Sequence, residues 1–266
     1  RQRQMCIRDS PHTHSIFSEH AFSTISENAA CAAEIGLEAI GMSEHFNSLL
    51  TPIRADGMPA WGAMMNMAAL PRKIHGVTIL ASVEIDIVDF QGNLAFWNDF
   101  PPDGFRDGGN ECRSLCDMLL DTRDYAIASV HSFPGRDSGS VIQHTEMYCN
   151  VLRNPKVHII GHPGRAGLRF DRKEVCKTAR DCGKLIEINN LSFQADLAVQ
   201  KECRKIAETC AELGVGIVVS SDAHSAYSVG HFERALNMLE EIHFPEELVA
   251  NRSLTGFLRA VGRTEP

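Results

Sequence analysis

Short apolar runs, each ending in a polar or titratable residue, alternate along this chain with longer segments of helical periodicity. This alternation predicts β-α units around a parallel sheet, because a parallel strand is buried on both faces and a helix carries the chain back to the next strand. Six runs are clear, at 37–43, 78–85, 125–130, 157–161, 185–189 and 216–220. A seventh strand would have to precede His12.

Seven strands with intervening helices predict an α/β barrel of seven β-α units, and an open doubly wound sheet is the alternative. Helices are predicted at 24–35, 110–122, 140–152, 172–182, 196–213, 231–242 and 246–260, with a further one at 61–75 that Pro71 interrupts. The 266 residues are expected to form a single domain. Residues 1–10 are interpreted as a non-native leader or a damaged first strand, because only Met5, Cys6 and Ile7 are apolar there.

The composition narrows the class of ligand. A formal charge of -8 argues against general binding of nucleic acid, which normally requires a basic face. No stretch approaches the ~18 apolar residues of a membrane span, and no signal peptide is recognisable. The sequence therefore predicts a cytoplasmic protein that acts on a small substrate, and it leaves open whether the chain forms a homo-oligomer.

Histidine and acidic residues stand at the ends of nearly all the predicted strands. His12 and His14 form an HxH element, in which extended backbone points both imidazoles to the same side, although an isolated HxH is common by chance. The other candidates are His20 on the following loop, His45, Glu84, His131, His162, and the pair Asp222 and His224. Because the carboxyl ends of parallel strands meet at one face, these residues are expected to converge there.

Imidazole and carboxylate ligands without thiolate favour Zn²⁺, Mn²⁺ or Fe, and so many histidines argue against Mg²⁺ or Ca²⁺ alone. Glu84 lies between Val83 and Ile85, where a buried carboxylate is costly unless a cation pairs with it. Its two oxygens would suit the bridging of two ions.

Three arginines follow strands that carry candidate ligands, and they are Arg136, Arg165 and Arg169. A guanidinium offers forked donors that match the oxygens of a phosphate group. They are therefore candidate substrate-binding residues, and an ordinary surface position is the alternative for each.

The motifs together resemble the PHP (polymerase and histidinol phosphatase) domain family, above all its stand-alone bacterial phosphatases of YcdX type. They are HTH at 12–14, HAFST at 20–24, SEH at 43–45, Glu84, His131, GHPG at 161–164, EINN at 187–190 and SDAH at 221–224. Two departures are present. The family usually has an apolar strand and Asp shortly before HxH, whereas here Asp9, Ser10 and Pro11 intervene. Glu44 stands where Asp commonly precedes the histidine, which would alter support for a ligand.

The resemblance implies a distorted (β/α)7 TIM-like barrel that holds three divalent metal ions at the carboxyl ends of its strands. Zinc is expected first, with manganese or iron as alternatives. By carry-over, the first ion takes His12, His14, Glu84 and Asp222, the second takes Glu84, His131 and His162, and the third takes His20, His45 and His224.

The expected activity is that of a metal-dependent phosphatase that hydrolyses a small phosphate monoester through a metal-activated hydroxide. Glu84, His131 and Asp222 would act as ligands around that hydroxide. Alternatives are histidinol-phosphate phosphatase, a nuclease or nucleotide phosphodiesterase, and amide hydrolysis in a related barrel. A non-enzymatic alternative is a metal-binding module that docks on a partner protein.

Overall fold

The computed structural model describes residues 6–101 and 113–265. This part of the chain contains ten strands: β1 (Asp9–Thr13), β2 (Ala39–Met42), β3 (His45–Phe46), β4 (Lys73–Ile74), β5 (Val77–Ala81), β6 (Glu84–Asp86), β7 (Ile127–Ser129), β8 (Ile159–Ile160), β9 (Leu185–Asn189) and β10 (Ile217–Ser220). It also contains eight α-helices: α1 (Ile25–Glu34), α2 (Gly62–Met65), α3 (Leu115–Leu120), α4 (Val141–Arg153), α5 (Arg172–Asp181), α6 (Leu197–Leu213), α7 (Glu233–Glu241) and α8 (Leu254–Ala260).

The strands form two sheets, in the orders β1-β2-β5-β4 and β10-β9-β8-β7-β6-β3. All neighbours are parallel except β4 and β5. Strands β2 and β3, and likewise β5 and β6, are separated by only two residues, so each pair continues one path from the first sheet into the second. The fold is therefore a mixed α/β fold with parallel sheets, as the sequence predicts.

Strand pairing does not run without interruption around the described residues. The two sheets meet at an isolated parallel bridge between Thr13 and Ala223. Apolar residues of both sheets nevertheless share one cluster with α8, which includes Leu80, Ile159 and Val218, and Phe257 of α8 packs there edge-on against Tyr125 at 4.9 Å. Closure into a seven-unit barrel stays a prediction.

The first strand does not lie where the sequence predicted it. It spans Asp9–Thr13 and so includes His12, instead of preceding it. Pairing with Ala39 and Ile40 of β2 holds this polar segment extended, since backbone hydrogen bonds do not require apolar side chains. Residues 1–5 lie outside the described chain, and the proposal of a non-native leader stays a prediction.

The single helix predicted at 246–260 is wrong. Short 3-10 turns at Glu246–Leu248 and Ala250–Arg252 precede α8. Asn251 is fully buried, and its side chain donates to the carbonyls of Asp9 (3.0 Å) and Val219 (2.7 Å) and accepts from the amide of Val219 (3.0 Å). These bonds tie the turn to β1 and β10, and a continuous helix would break them.

Two further helices are shorter than predicted. The segment 61–75 contains only α2, a 3-10 turn at Met67–Ala69 and then β4, consistent with the interruption at Pro71. The helix predicted at 110–122 is described as α3 (Leu115–Leu120), and residues 110–112 lie outside the described chain. Among the described residues, no helix has the length and apolar character required to cross a membrane.

Candidate metal centre

The nine predicted ligands converge, although they are spread over more than two hundred positions of the chain. Six are almost fully buried, with at most 4% of their surface exposed: His12, His14, His45, Glu84, His162 and Asp222. The side chains of His131 and His224 are 23% and 22% exposed, and His20 is exposed. The cluster therefore opens to solvent along these three histidines.

The carboxylate of Glu84 lies at the centre of the cluster. Its Oε1 is 2.7 Å from Nε2 of His162 and 3.5 Å from Nε2 of His131. Its Oε2 is 2.9 Å from Nδ1 of His45 and 3.4 Å from Nε2 of His12. One acidic group thus faces imidazoles from four separate segments.

Asp222 is the second buried carboxylate. Its Oδ1 is 3.2 Å from Nε2 of His14 and 3.5 Å from Nε2 of His12. Its Oδ2 accepts hydrogen bonds from Arg165 (2.6 Å) and from Nδ2 of Asn189 (3.2 Å). The protein thus satisfies one oxygen of this carboxylate and turns the other towards the histidines.

Four imidazoles of the cluster pack closely, ring against ring. The ring of His14 lies 4.3 Å from that of His45 and 4.2 Å from that of His224. The ring of His20 lies 4.4 Å from His224 and 5.0 Å from His45. Burial and neighbouring imidazoles lower the pKa of His14, His20 and His224, which favours the neutral form that binds metal.

Ligand atoms within 4.8 Å of one another form four overlapping groups: His14, His45 and His224; His12, His14 and Asp222; His12, Glu84 and His162; and His45, Glu84 and His131. These groups do not coincide with the three sets carried over from the resemblance. His14 lies with His45 and His224, and His45 lies with Glu84 and His131. Among the described residues, His20 belongs to none of these groups, although its ring stacks on that of His45 and lies tilted against that of His224.

Several atoms of the cluster are buried and lack an aligned hydrogen-bond partner. They include Oε2 of Glu84, Oδ1 of Asp222, Nδ1 of His162 and Nε2 of His224. Leaving such atoms unsatisfied in a protein interior costs free energy, and a bound cation would satisfy the oxygens and deprotonated nitrogens together. The residues present therefore fit divalent metal ions of the type that binds imidazole and carboxylate.

The electrostatics agree with this fit. Burial opposes ionisation of Glu84, but the surrounding His12, His45 and His131 hold the pKa of its carboxyl well below the usual value. Burial likewise opposes ionisation of Asp222, and His12 and Arg165 hold its pKa well below the usual value. Both groups are therefore carboxylates at neutral pH.

Two of the predicted ligands have left-handed backbone conformations. The φ angle is 26° at His162 and 52° at Asp222. Residues with a side chain rarely adopt positive φ, and such local strain is often found at functional sites. The strain lies in the turns that aim these two side chains into the cluster.

Further carboxylates support the histidines from behind, and the sequence interpretation gave them no role. Glu187 lies 2.7 Å from Nδ1 of His12, accepts from the amide of His162 (2.6 Å) and accepts from Oγ of Ser220 (2.5 Å). In the sequence, Glu187 is recognisable as an acidic residue inside the apolar run 185–189, where it begins the EINN motif. Asp86, two residues after Glu84, lies 2.6 Å from Nδ1 of His131.

Glu44, the departure from the usual Asp, lies in a network of hydroxyl groups. It accepts hydrogen bonds of 2.6 Å from the hydroxyls of both Ser15 and Ser18. Oγ of Ser18 lies 3.0 Å from Nδ1 of His14. The carboxylate at position 44 therefore supports His14 indirectly, through Ser18.

The three candidate arginines differ in their surroundings. Arg165 pairs with Asp222, and its Nη1 is buried without a partner. Arg136 donates to the carbonyl of His131 (2.5 Å) and pairs with Asp137. Arg169 is exposed, and its carbonyl lies 3.1 Å from Nδ1 of His144. Only Arg165 of these three contacts the side chain of a predicted ligand in the described part of the chain.

Known proteins resemble this chain over nearly its whole length. A protein named Probable phosphatase from Clostridium novyi (strain NT) is 36% identical over 256 residues, which are 95% of this chain and 94% of that protein. A second Probable phosphatase, from Caldanaerobacter subterraneus subsp. tengcongensis, is 38% identical over 244 residues, which are 91% of this chain and 86% of that protein. No family profile matches the chain.

A solved structure shares the fold. The histidinol phosphate phosphatase HisK from Lactococcus lactis, complexed with zinc, L-histidinol and phosphate, superposes with a TM-score of 0.59. The superposition covers 90% of this chain and 95% of the HisK chain, and the two sequences are 16% identical. Because the sequence matches are extensive and exceed 30% identity, the chain belongs to the family of these bacterial phosphatases and is a phosphoric ester hydrolase.

Proposed function

We propose that this phosphatase is a PHP-type enzyme of the stand-alone YcdX type, which hydrolyses a small phosphate monoester with the help of divalent metal ions. The observation that carries the proposal is the pair of buried, ionised carboxylates of Glu84 and Asp222. Both are surrounded by imidazoles, and each has an oxygen without an aligned hydrogen bond. This surplus of ligand atoms is costly in a protein that holds no cation.

The ligands in this proposal are the nine predicted residues: His12, His14, His20, His45, Glu84, His131, His162, Asp222 and His224. Four overlapping groups share Glu84, His12, His14 and His45, which supports the binding of more than one ion. The resemblance to PHP domains predicts three. The two sheets would then be the two arcs of a distorted (β/α)7 barrel with the ions at one mouth.

Bound divalent ions lower the pKa of water, so that hydroxide is available near neutral pH, and they stabilise negative charge that develops on a phosphate ester. The protein positions the ligands of the ions and leaves a path for the substrate. Glu84, His131 and Asp222 hold the centre at which attack on phosphorus would occur. The partly exposed His20, His131 and His224 mark the side from which a substrate enters, because the remaining six ligands are buried.

Arg165 is the residue best placed to hold the phosphate group. Its Nη2 is fixed by Asp222 at 2.6 Å, and its Nη1 has no partner. Because Asp222 already fixes the orientation of this guanidinium, the side chain loses little freedom when it donates to a phosphate oxygen. Arg136 and Arg169 lie on neighbouring loops and would contribute less.

Metal removal and replacement tests this function. The purified protein, treated with a chelator and then refilled separately with Zn²⁺, Mn²⁺ or Fe²⁺, is assayed on sugar phosphates, nucleotides and histidinol phosphate. The last is included because a protein of similar fold is complexed with L-histidinol and phosphate. We expect hydrolysis to disappear on chelation and to return with metal. Full activity of the metal-free protein would contradict the proposal.

A ligand variant gives the matched test. His131→Ala removes one imidazole from the group around Glu84, and we expect turnover to fall by more than about 100-fold, beyond the loss typical of an outer-shell residue. His231→Ala changes an exposed histidine that no group includes, and it should leave turnover unchanged. A His131→Ala enzyme that stays active and fully loaded with metal would show that the assignment is wrong.

A further inference from the structure

A buried polar network contacts Nδ1 of His131, whereas the other ring nitrogen, Nε2, faces Glu84. Nδ1 of His131 lies 2.6 Å from Oδ1 of Asp86, and the same oxygen accepts a hydrogen bond of 3.1 Å from Nδ2 of Asn47. Asp86 and Asn47 are each only 2% exposed. Asp86 follows Glu84 by two residues in β6, so both side chains point to the same face of the strand.

The other end of this network reaches His45. The amide of Asn47 donates to Oγ1 of Thr51 (3.0 Å), and this hydroxyl donates to the carbonyl of His45 (2.9 Å). Oδ1 of Asn47 accepts from the amides of Leu49 (2.9 Å) and Leu50 (2.6 Å). Both ends of the Asn47 side chain are therefore engaged. Asn47 links the backbone carbonyl of His45, through Thr51, to the imidazole of His131, through Asp86.

These two histidines belong to the same group of possible ligands, which is completed by Glu84. The imidazoles of the other groups have different supports: Glu187 contacts His12, and Ser18 contacts His14. Asp86 itself contacts the imidazole of His131, which belongs to a single group, whereas the network reaches His45, a member of two groups, only at the backbone carbonyl.

We propose that Asp86, anchored by Asn47 and Thr51, is a positioning residue for the ion held by His45, Glu84 and His131, and for that ion alone. The inference rests on the proposed function. A carboxylate that accepts a hydrogen bond from Nδ1–H of His131 fixes the orientation of the ring and its tautomer. The lone pair of Nε2 is then available to bind a cation. Nε2 of His131 already faces Oε1 of Glu84, at 3.5 Å.

The proposal predicts selective loss of one ion. Asp86→Asn keeps the size of the side chain but removes its charge, and loss of such an outer partner typically weakens metal binding by about 10- to 100-fold. At limiting metal the variant should hold one ion fewer per chain than the wild type. Excess metal should restore kcat, while the metal concentration required for half-maximal activity rises by the same factor of about 10 to 100.

The experiment measures metal per chain by mass spectrometry on chelator-treated protein refilled at increasing metal concentration. Asp137→Asn is the matched control, since it removes the same charge near His131 from a side chain that is 82% exposed and paired with Arg136. It should refill as the wild type does. If Asp86→Asn fails to fold, Asn47→Ser removes the anchor instead, and the same selective weakening is expected.

The possible outcomes are separable. Loss of one ion only, restored by excess metal, supports the inference. Wild-type refilling of a folded Asp86→Asn protein, or of Asn47→Ser if that variant replaces it, overturns the inference and leaves the proposed function intact. Equal weakening of all ions overturns it as well, because the network would then act on the whole cluster. A wild-type protein that binds no metal overturns the proposed function and this inference together.

Discussion

Glu84 shows, at the scale of a single residue, how a costly side chain is kept in a protein core. Moving an ionised carboxylate out of water costs roughly several kcal/mol, and nearby charges offset this cost only in part. His12, His45 and His131 lower the pKa of the carboxyl, but rings around it lie only 5.3 to 5.8 Å apart and would repel one another if all were protonated. Cations between the carboxylate and neutral imidazoles remove both difficulties.

Arg165 provides the prediction that belongs to this scale. Arg165→Met removes the partly buried guanidinium beside Asp222. We expect KM for a phosphate ester to rise by about 10-fold or more, which corresponds to the loss of one or two charge-assisted hydrogen bonds. Steady-state kinetics with metal in excess checks this. Arg169→Met, which changes an exposed side chain, should alter KM far less. Equal effects of the two substitutions would contradict the distinction drawn between these arginines.

The ends of the strands position the cluster of candidate ligands, and the sequence predicts these strands better than any other element. Seven strands lie on the six predicted apolar runs, because the run 78–85 covers both β5 and β6, and β9 matches its run of 185–189 at both ends. The positions of His45, His131 and His162 directly after such runs predicted their convergence. Local patterns suffice for this, because strand burial and strand ends are properties of neighbouring residues.

Other features depend on distant contacts that no local pattern contains. The buried turn around Asn251 exists because its amide bonds β1 and β10, which lie 242 and 32 residues away in sequence. The division of 78–85 into β5 and β6 follows from a change of strand partner from β2 to β3 and β7. The roles of Asp86 and Glu187 likewise require knowledge of which imidazole lies opposite.

Gly41 gives the prediction at the scale of elements. A Cβ atom there would lie 1.6 Å from the hydroxyl oxygen of Tyr125 and 2.7 Å from the carbonyl oxygen of Pro11. Gly41→Ala should therefore separate β1 from β2, lower the free energy of unfolding by about 3 kcal/mol, and displace His12, which follows Pro11. Urea unfolding and metal analysis measure both effects.

Gly62→Ala is the control for that substitution. No atom lies within 4 Å of the new Cβ, so the unfolding free energy should change by less than about 1 kcal/mol. An unchanged stability and metal content of Gly41→Ala would contradict the close contact between β1, β2 and Tyr125.

In the molecule as a whole, apolar packing and candidate metal ligands lie at opposite ends of the strands. Phe257 of α8 packs with apolar residues of both sheets, whereas the opposite end carries buried carboxylates and imidazoles. On the proposed function, bound cations would stabilise the second end, because several of its buried polar atoms have no hydrogen-bond partner. Folding stability of the whole chain should therefore depend on metal.

Thermal unfolding tests this dependence. At a free metal concentration of about 100 times Kd, one bound ion adds about 2.7 kcal/mol, which corresponds to a rise in Tm of roughly 5–10 °C for a chain of this size. We expect a chelator to lower Tm by at least this amount, as measured by scanning calorimetry. Glu84→Gln, which removes the central charge, should show a smaller shift. Equal Tm values with and without chelator would contradict the account.

Anomalous X-ray diffraction from crystals of the purified protein tests the central claim most directly. Data collected on both sides of the absorption edge of the metal locate each ion without assumptions about its ligands. We predict more than one anomalous peak within coordination distance of Glu84, Asp222 and their histidines. Crystals grown with Zn²⁺ or Mn²⁺ that bind the metal elsewhere, with no peak among these residues, would contradict the proposed function.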